Sequence, residues 1–406
     1  MITPIFGGGE QLSSDAVTQY NPLWGYYVWN NNHDEMWQKM PKNGKLSHLM
    51  AYTGLDPAPG SRTLTVQKNG AATALSATIP AGGTIAQNIT DEVAVNEADI
   101  VCMAHIPADA PIIHPIRWCC LFTTTDAEGI LIGNTEPGAP GALHNAQTDH
   151  VQVAVGGARP LPTISVDAWS PIPANGKFTR FVMEMSAAPD PGGADGYKFT
   201  VRLGGVDTAL TLNITGNDTV DFIDTDVAVI SGQLADIEIV PIGLPPVMPH
   251  ARWGLSWQPT TANYAIVTSH NQDAPLNNTN EKCTLTGHYT HLWAVTPYGQ
   301  PTWKGRMRNL FIYVRDAPGA GRSWRLPIYK TIADTNLEVI IADADIVDWN
   351  VTDVVTLADQ DLLSLAAYPT AVPTMSPVMF GLVFEIDPRV FVGGSEKYRM
   401  LKKDLI

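Results

Sequence analysis

The sequence predicts an all-β protein of three tandem jelly-roll-like β-sandwich domains arranged as a pseudo-trimer. Three observations lead to this prediction. One motif occurs three times along the chain, short alternating apolar runs lie between turn residues, and the chain is too long for a single hydrophobic core.

The composition is that of a globular protein with many turns. Of the 406 residues, 45% are hydrophobic and 16% are charged, so the chain has enough apolar side chains to offset the entropy lost on folding. The 34 glycines and 31 prolines occur in small clusters without a collagen-like period, which is typical of short strands joined by turns. Domains of about 100 to 200 residues predict two to four domains at this length.

The net charge constrains the partners. A formal charge of −15 and a pI near 5.0 make the surface repel phosphate backbones and anionic lipids, so we expect neither nucleic acid nor a membrane as partner. The first residues show no secretory signal, and no apolar run reaches the roughly 18 residues of a spanning helix. We therefore expect synthesis and folding in a cytoplasm.

A Thr-x-Leu motif anchors the repeat. Thr73, Thr208 and Thr335 each precede a leucine by two positions and lie 135 and 127 residues apart. Counting forward from each anchor without a gap reaches an isoleucine and then two aromatic residues in every copy, which indicates three copies of one module. The predicted structural core of the repeats is Leu75, Ile79, Trp118, Phe122, Leu210, Ile214, Trp253, Trp257, Leu337, Ile341, Phe380 and Phe384.

Flanking motifs set the predicted domain boundaries. Each core block opens with a Gly-basic pair, and Thr-rich segments follow the closing strands of the first two copies. The predicted domains are sandwich repeats 1–125, 126–260 and 261–406, the last with a basic C-terminal tail.

Local patterns inside each module predict strands. Trp118, Cys120 and Phe122 alternate along the closing strand, so they share one face, and Cys120 is predicted to be a buried apolar filler. Turn signals every 8 to 12 residues or so leave room for about eight strands and little helix, as in a jelly roll or a similar two-sheet sandwich.

The middle hairpin differs among the copies. Asn69-Gly70 and Gly204-Gly205 supply the positive φ of a tight turn, whereas Thr331-Ile332 in the third copy predicts a different turn or a remodelled edge.

Three like sandwiches can stack linearly or close around a pseudo-threefold axis. Closure buries the same flank of each copy and removes exposed edges, so it favours the pseudo-trimer.

The sequence contains no recognisable catalytic, metal or cofactor motif. The acidic clusters Asp221–Asp226 and Asp343–Asp348 lack the glycine and spacing of an EF-hand loop, so we predict solvated charge there rather than Ca²⁺. Asp91, Asp226 and Asp353 follow threonine in all three copies, which favours a turn or cap device over a unique carboxylate pair of a glycosidase.

Three other segments leave alternatives open. Trp24, Tyr26, Tyr27 and Trp29 either pack with the N-terminal strand or form an exposed patch that stacks on sugars or contacts protein. His288 and His291 lie in a segment that reads as strand or loop, which does not suit a metal pair. The segment Lys397–Lys403 is basic and amphipathic, either a solvated tail or a docking segment for an acidic partner.

The second copy contains three distinctive segments, Ser186–Arg202, Gly205–Thr211 and the aromatic strand Arg252–Leu255. In these segments it resembles a repeated β-module found in uncharacterised virion structural proteins of tailed bacteriophages. All three copies match the module, so the resemblance covers most of the chain. The third copy differs from the module pattern at Pro327 and Thr331-Ile332.

The resemblance implies a non-enzymatic virion protein, made in the host cytoplasm, with other virion proteins as partners. A capsid decoration, cement or minor capsid role is preferred, because three fused modules match a site of local threefold symmetry on a shell. The alternative is a tail-fibre or receptor-binding protein that contacts host surface glycan. A glycan-degrading enzyme is a third hypothesis, and no cofactor is expected.

Overall fold

The computed structural model describes residues 1–9, 17–27, 29–112, 114–135, 141–158, 161–271, 276, 278–286 and 299–387. Across these ranges the chain is all-β: it contains two short 3-10 turns, no α-helix, and strands that form five hydrogen-bonded sheets. No helix in the described ranges is long and apolar enough to cross a membrane.

The first sandwich contains two sheets that pack face to face. One has the order β1-β10-β5-β8, and in the other β2 and β4 both pair with β9, which continues to β6 and β7. The strands are β1 (Ile2–Gly9), β2 (Gln19–Asn21), β3 (Gly25–Tyr27), β4 (Gln38–Lys39), β5 (Gly44–Thr53), β6 (Ser61–Lys68), β7 (Ala71–Ile79), β8 (Ile85–Val95), β9 (Ile100–Ala108) and β10 (Ile116–Thr123).

The second sandwich repeats this arrangement. Its strands are β11 (Gly129–Thr135), β12 (Asp149–Val151), β13 (Val155–Ala158), β14 (Ser170–Pro171), β15 (Gly176–Met185), β16 (Gly196–Leu203), β17 (Val206–Thr215), β18 (Val220–Val229), β19 (Leu234–Ile242) and β20 (Ala251–Pro259). One sheet has the order β11-β20-β15-β18, and in the other β12 and β14 pair with β19, which continues to β16 and β17.

The third sandwich follows the same plan. Its strands are β21 (Ala265–Asn271), β22 (Glu281–Cys283), β23 (Gln300–Pro301), β24 (Gly305–Val314), β25 (Gly319–Lys330), β26 (Ala333–Asp343), β27 (Val347–Leu357), β28 (Leu362–Thr370) and β29 (Val378–Ile386). The two sheets have the orders β21-β29-β24-β27 and β22-β28-β25-β26, with β23 also on β28.

This topology is that of a jelly roll. In every sandwich the first strand pairs with the last, and each sheet interleaves early and late strands of the module, as two Greek keys require. The prediction of three tandem jelly-roll-like sandwiches is therefore confirmed. Parallel pairing of β1 with β3, β3 with β13 and β13 with β11 joins the first two sandwiches into one ten-stranded sheet.

All twelve predicted core residues are buried. They belong to one contiguous apolar cluster that extends through all three sandwiches. The closing strands β10 and β29 are buried along almost their whole length. One face packs on the partner sheet of the same sandwich, and the other packs on a short strand of an adjacent sandwich. The strand β18 instead alternates between exposed and covered positions, as expected for an outer strand.

The repeated anchor threonine has a clear structural role. In each module it is the third residue of the second hairpin strand and begins a β-bulge there, in which three residues lie opposite one residue of the first strand. The bulge interrupts the ladder at that single residue, and the threonine hydroxyl donates a hydrogen bond to its carbonyl. These bonds join Thr73 to Val66 (2.7 Å), Thr208 to Val201 (2.6 Å) and Thr335 to Ile328 (2.8 Å).

The three hairpin turns differ as their residues predict. Both turn residues have positive φ at Asn69-Gly70 and at Gly204-Gly205, whereas in the third copy only Thr331 does, at 56°. Its neighbour Ile332 has an ordinary φ and is 83% exposed. The third module thus keeps a two-residue connection but uses a different turn.

Candidate functional site: the contacts between the sandwiches

The contacts between the three sandwiches use the same pair of elements each time. The short strand before the Gly-basic pair of one module lies against the closing strand of the next. Thus β4 contacts β20, β14 contacts β29, and β23 contacts β10. The first sandwich therefore contacts the second, the second contacts the third, and the third contacts the first.

Two of these contacts depend on glycine in the closing strand. The carbonyl oxygen of Lys39 lies 2.6 Å from the place where a Cβ on Gly254 would stand, and that of Pro171 lies 2.1 Å from the corresponding place on Gly381. Both glycines directly follow the aromatic residue of the repeat. Only a residue without a side chain permits this approach of two backbones.

The third contact uses side chains instead. Cys119 occupies the place of the two glycines, and here the amide of Gln300 bridges the gap. Its Nε2 donates to the carbonyl of Gly7 at 3.3 Å and also to that of Trp118. The indole Nε1 of Trp303 donates to the carbonyl of His48 at 2.8 Å. The rings of Phe6 and Phe384 also meet here, with centroids 5.0 Å apart, so this contact combines hydrogen bonds with apolar packing and carries no ion pair among the described residues.

The contact between the first and second sandwiches is strongly charged. The ammonium of Lys39 pairs with Glu184, whose other oxygen lies 2.5 Å from the guanidinium of Arg252. Both Lys39 and Glu184 are largely buried, so the charges compensate each other in a region that water reaches poorly.

Lys42 forms a second ionic cluster at the same contact. Its ammonium lies 2.8 Å from Asp126 and also pairs with Glu128. Burial opposes the charge on Lys42, but the hydrogen bonds to the two carboxylates outweigh it and raise the pKa of Lys42. Burial is also the largest single influence on Asp126, but the hydrogen bonds from Lys42, the Glu128 backbone and Thr124, together with the charge of Lys42, outweigh it and lower the pKa of Asp126.

Mixed polar and aromatic groups join the second and third sandwiches. The amide of Asn309 donates to the carbonyl of Pro173 at 3.1 Å, and Arg315 lies 3.2 Å from Asp167. The rings of Trp169 and Tyr313 meet edge to face at 5.1 Å.

A β-bulge shared by the three modules directs part of the first and third modules toward a neighbour. The register of the strand after the Gly-basic pair shifts at His48, Thr179 and Asn309, and His48 and Asn309 both have a φ of 53°. A bulge turns the strand locally, and here it brings the carbonyl of His48 and the amide of Asn309 onto the adjacent sandwich.

Sequence reasoning did not identify these contact residues. Lys39, Pro171 and Pro301 occupy one place in the repeat, and Gln38, Ser170 and Gln300 occupy the place before it. The residues at each place differ in chemistry, so no common residue type marks them. A usable signal was present at Gly254 and Gly381, because glycine inside an aromatic strand marks close backbone approach.

The aligned aspartates are hydrogen-bonded to their own strands. Asn88 donates to Asp91 at 2.8 Å, and Asn350 donates to Asp353 at 2.8 Å. Both asparagines also donate to a carbonyl of the preceding strand, so they connect the edges of the two sheets. The second module departs from this arrangement, since Asp226 instead pairs with Lys177 at 2.5 Å.

No metal site is evident in the described part of the chain. Within it, no group of three or more His, Cys, Asp or Glu side chains is placed to hold an ion. The four cysteines are buried thiols, and burial raises the pKa of each above its usual range, which suppresses the nucleophilic thiolate. Cys120 is thus an apolar filler in the core.

A polar pair lies in the core of the first sandwich. Arg62 is fully buried, and its Nη1 lies 3.0 Å from Nε2 of His105. Burial, assisted by the positive charge of Arg62, lowers the pKa of His105 to about 3, so this imidazole is neutral at pH 7. Arg62 also donates to the carbonyl of Ile112, as Tyr197 does to that of Val247 in the second module.

Of the four aromatic residues near the N-terminus, the two whose side chains are described, Trp24 and Trp29, do not belong to an exposed patch. Trp24 and Trp29 are buried in the main apolar cluster, because β3 lies inside the ten-stranded sheet. The side chains of Tyr26 and Tyr27, the segment with His288 and His291, and the basic segment Lys397–Lys403 lie outside the described residues.

Comparisons with known proteins identify no family for this chain and only distant structural neighbours. No protein-family model matches the chain, and no curated protein matches it either. One similar solved structure is that of the triple jelly roll fold and turret assembly in an archaeal virus, at 10% identity over 86% of this chain and 81% of that chain, with a TM-score of 0.16. Another is the crystal structure of an IBDV viral particle, at 8% identity over 96% and 79%, also with a TM-score of 0.16.

Proposed function

We propose that the protein is a non-enzymatic structural component of a bacteriophage particle, as a capsid decoration, cement or minor capsid protein. The observation that carries this proposal is the cyclic set of contacts in which β4, β14 and β23 each lie on the closing strand of the next sandwich. Three like modules that contact one another head to tail in a closed order form a pseudo-trimer.

A pseudo-trimer of this kind suits a shell. It presents three similar outer surfaces from one chain, so it fits a position where three equivalent neighbours of a capsid lattice meet. The fused chain also keeps the three modules together without a cost in association entropy. The resemblance of the second module to phage virion modules supports the same role.

The charge distribution supports a protein partner. The net charge of −15 disfavours packaged nucleic acid as the binding surface, so the proposed contacts are with other virion proteins. The burial of Trp24 and Trp29 removes two of the four aromatic residues that a sugar-binding patch near the N-terminus requires.

The test is quantitative mass spectrometry of purified particles from cells in which the chain is expressed during infection. The proposal predicts that the chain co-purifies with particles at a fixed copy number relative to the major shell protein and remains after a high-salt wash. A chain that is abundant in infected cells but absent from washed particles contradicts the proposal.

A further inference from the structure

The outer face of the third sandwich carries a row of uncovered apolar side chains, which we call the apolar strip. It consists of Val347, Trp349, Val351 and Val354, which are 42%, 54%, 49% and 38% exposed. All four lie on β27, the edge strand of its sheet. The ring of Trp349 stacks on that of Phe311 at 5.9 Å and 18°, which leaves its other face open.

The corresponding strands of the other modules do not show the same strip. In the second module Val220 and Phe222 of β18 hold the positions of Val347 and Trp349 and are 48% and 55% exposed, but the guanidinium of Arg180 lies 4.4 Å from the ring of Phe222 and Asp224 replaces Val351. In β8 only Ile89, at the position of Val351, is apolar and exposed, and Gln87 replaces Trp349. Among the described residues, the full row of four exposed apolar side chains therefore occurs in the third module alone.

The sequence around the apolar strip is acidic, and the basic residues beside β27 come from other strands: Arg308 lies opposite Val354 and pairs with Glu385 at 2.9 Å, and Lys330 donates to the carbonyl of Thr356. Residues 333–363 contain eight Asp or Glu and no Lys or Arg. The C-terminal segment 388–406 has the opposite character, with five Lys or Arg against two acidic residues, and it contains the apolar run Val390-Phe391-Val392. An apolar and basic segment complements an apolar and acidic surface in both respects.

The segment that follows Asp387 also starts close to the apolar strip. Ile386 pairs with Gly305 on one side of β24, and Leu357 at the end of β27 pairs with Gly305 on the other. Strands lie about 4.8 Å apart, so the segment that follows Asp387 starts roughly 10 Å from the end of β27. Its 19 residues span up to about 60 Å when extended, which exceeds the length of an 11-residue strand, about 37 Å.

We propose that residues 388–406 dock on the apolar strip of their own chain. The apolar residues of the segment cover Trp349 and its neighbours, and the basic residues face the carboxylates around β27. Attachment to the same chain gives the segment a high effective concentration at the strip, which favours docking within one molecule over exchange between molecules.

Trypsin cleavage of the full-length protein tests the proposal. Trypsin cuts after the Lys and Arg residues of the segment, and docking protects them. Trp349→Ser removes the ring that the segment covers, so cleavage between residues 397 and 403 should become about tenfold faster, as expected for a local opening made easier. The matched control Phe222→Ser removes an exposed ring of the second module and should leave the cleavage rate unchanged.

Hydrogen exchange of full-length variants provides an independent measurement. Lys402→Glu with Lys403→Glu should accelerate amide exchange over residues 347–357 and not over 220–229. Equal tail cleavage in the Trp349→Ser variant, the Phe222→Ser variant and the wild type overturns the proposal, as does unchanged exchange over residues 347–357. Protection that disappears on dilution also overturns it, because it assigns the strip to the segment of a second copy.

Discussion

Individual polar residues inside the first sandwich set how it responds to pH. His105 is buried beside the guanidinium of Arg62, which helps to lower its pKa. Between pH 6.5 and about pH 3, the imidazole is therefore protonated in the unfolded chain but neutral in the folded protein. A base with a depressed pKa contributes stability that is present above its unfolded pKa of about 6.5 and is lost as pH falls toward the folded value of about 3.

We expect the protein to lose about 2 kcal/mol of unfolding free energy from this group between pH 7 and pH 5. His105→Gln keeps an acceptor for Arg62 but cannot take up a proton, so this variant should show a smaller loss. Urea unfolding at both pH values measures the difference, and His33→Gln, at a partly exposed position, is the control. Equal pH dependence of the His105→Gln variant and the wild type would show that His105 is not the responsible group.

Single glycines determine how closely the sandwiches approach. A Cβ on Gly381 meets the carbonyl oxygen of Pro171 at 2.1 Å, and neither backbone has a flexible side-chain end that could move aside. Gly381→Ala should therefore destabilise the protein by about 1 to 3 kcal/mol and accelerate hydrogen exchange in β14 and β29.

The control for this prediction is Gly83→Ala, in which the new Cβ stays at least 3.2 Å from its neighbours. Unfolding in urea and hydrogen exchange compare the two variants. Wild-type stability of the Gly381→Ala variant would mean that the second and third sandwiches do not approach as described.

At the scale of elements, the third hairpin carries strain that the others avoid. Thr331 is β-branched and has a φ of 56°, a conformation that suits asparagine or glycine better. Its backbone amide donates to the carbonyl of Leu362, as Asn69 does to Ile100 in the first module, and its hydroxyl donates to Asp361. Thr331→Asn can keep both interactions without the branched Cβ.

We therefore expect Thr331→Asn to stabilise the protein by roughly 1 kcal/mol, and Asn69→Thr in the first hairpin to destabilise it by a similar amount. Thermal unfolding of the two variants measures both effects. Destabilisation by Thr331→Asn would show that the threonine hydroxyl matters more than the backbone conformation.

The elements differ in how well the sequence predicts them. Closing strands and hairpins are long enough to show alternation and end in residues that require a turn, so their patterns are visible without a structure. The strands β4, β14 and β23 contain only two residues each, which is too short for any period. The bulges at His48 and Asn309 are also invisible, because the inserted residue has no fixed chemistry.

Prediction of the contacts between modules fails for a related reason. Sequence similarity depends on residue types at equal positions, and the repeated core is constrained to be apolar at each of them. The contact positions have the same geometry but use a lysine cluster, backbone carbonyls of prolines, or a glutamine and a tryptophan. The backbone arrangement is the same at each contact but the residue types differ, so sequence similarity cannot identify the contact positions.

On the scale of the whole molecule, charge links the first two sandwiches. Asp126 has a lowered pKa, so it contributes stability that is present above its unfolded pKa of about 3.9 and is lost as pH falls further. Lys42 has a raised pKa, so its contribution is present below about pH 10.4 and is lost as pH rises through the higher folded value.

Calorimetry of Lys42→Met across pH tests this link. The variant should unfold at a lower temperature than the wild type near pH 7, and the difference should shrink as the pH falls through the lowered pKa of Asp126, because protonation removes the charge that Lys42 pairs with. A Lys45→Met variant, which removes a more exposed ion pair with Glu92 inside the first sandwich, is the control and should change little. A pH-independent difference for Lys42→Met would indicate lost packing rather than lost charge.

We propose that the three jelly rolls of the chain form a closed ring that is part of a virus particle. Cryo-electron microscopy of purified particles tests this proposal most directly. We expect a three-lobed density on the shell, one lobe per sandwich, with β4, β14 and β23 each on the closing strand of the next lobe. Particles without this density, or a density with the sandwiches in an open row, would contradict it.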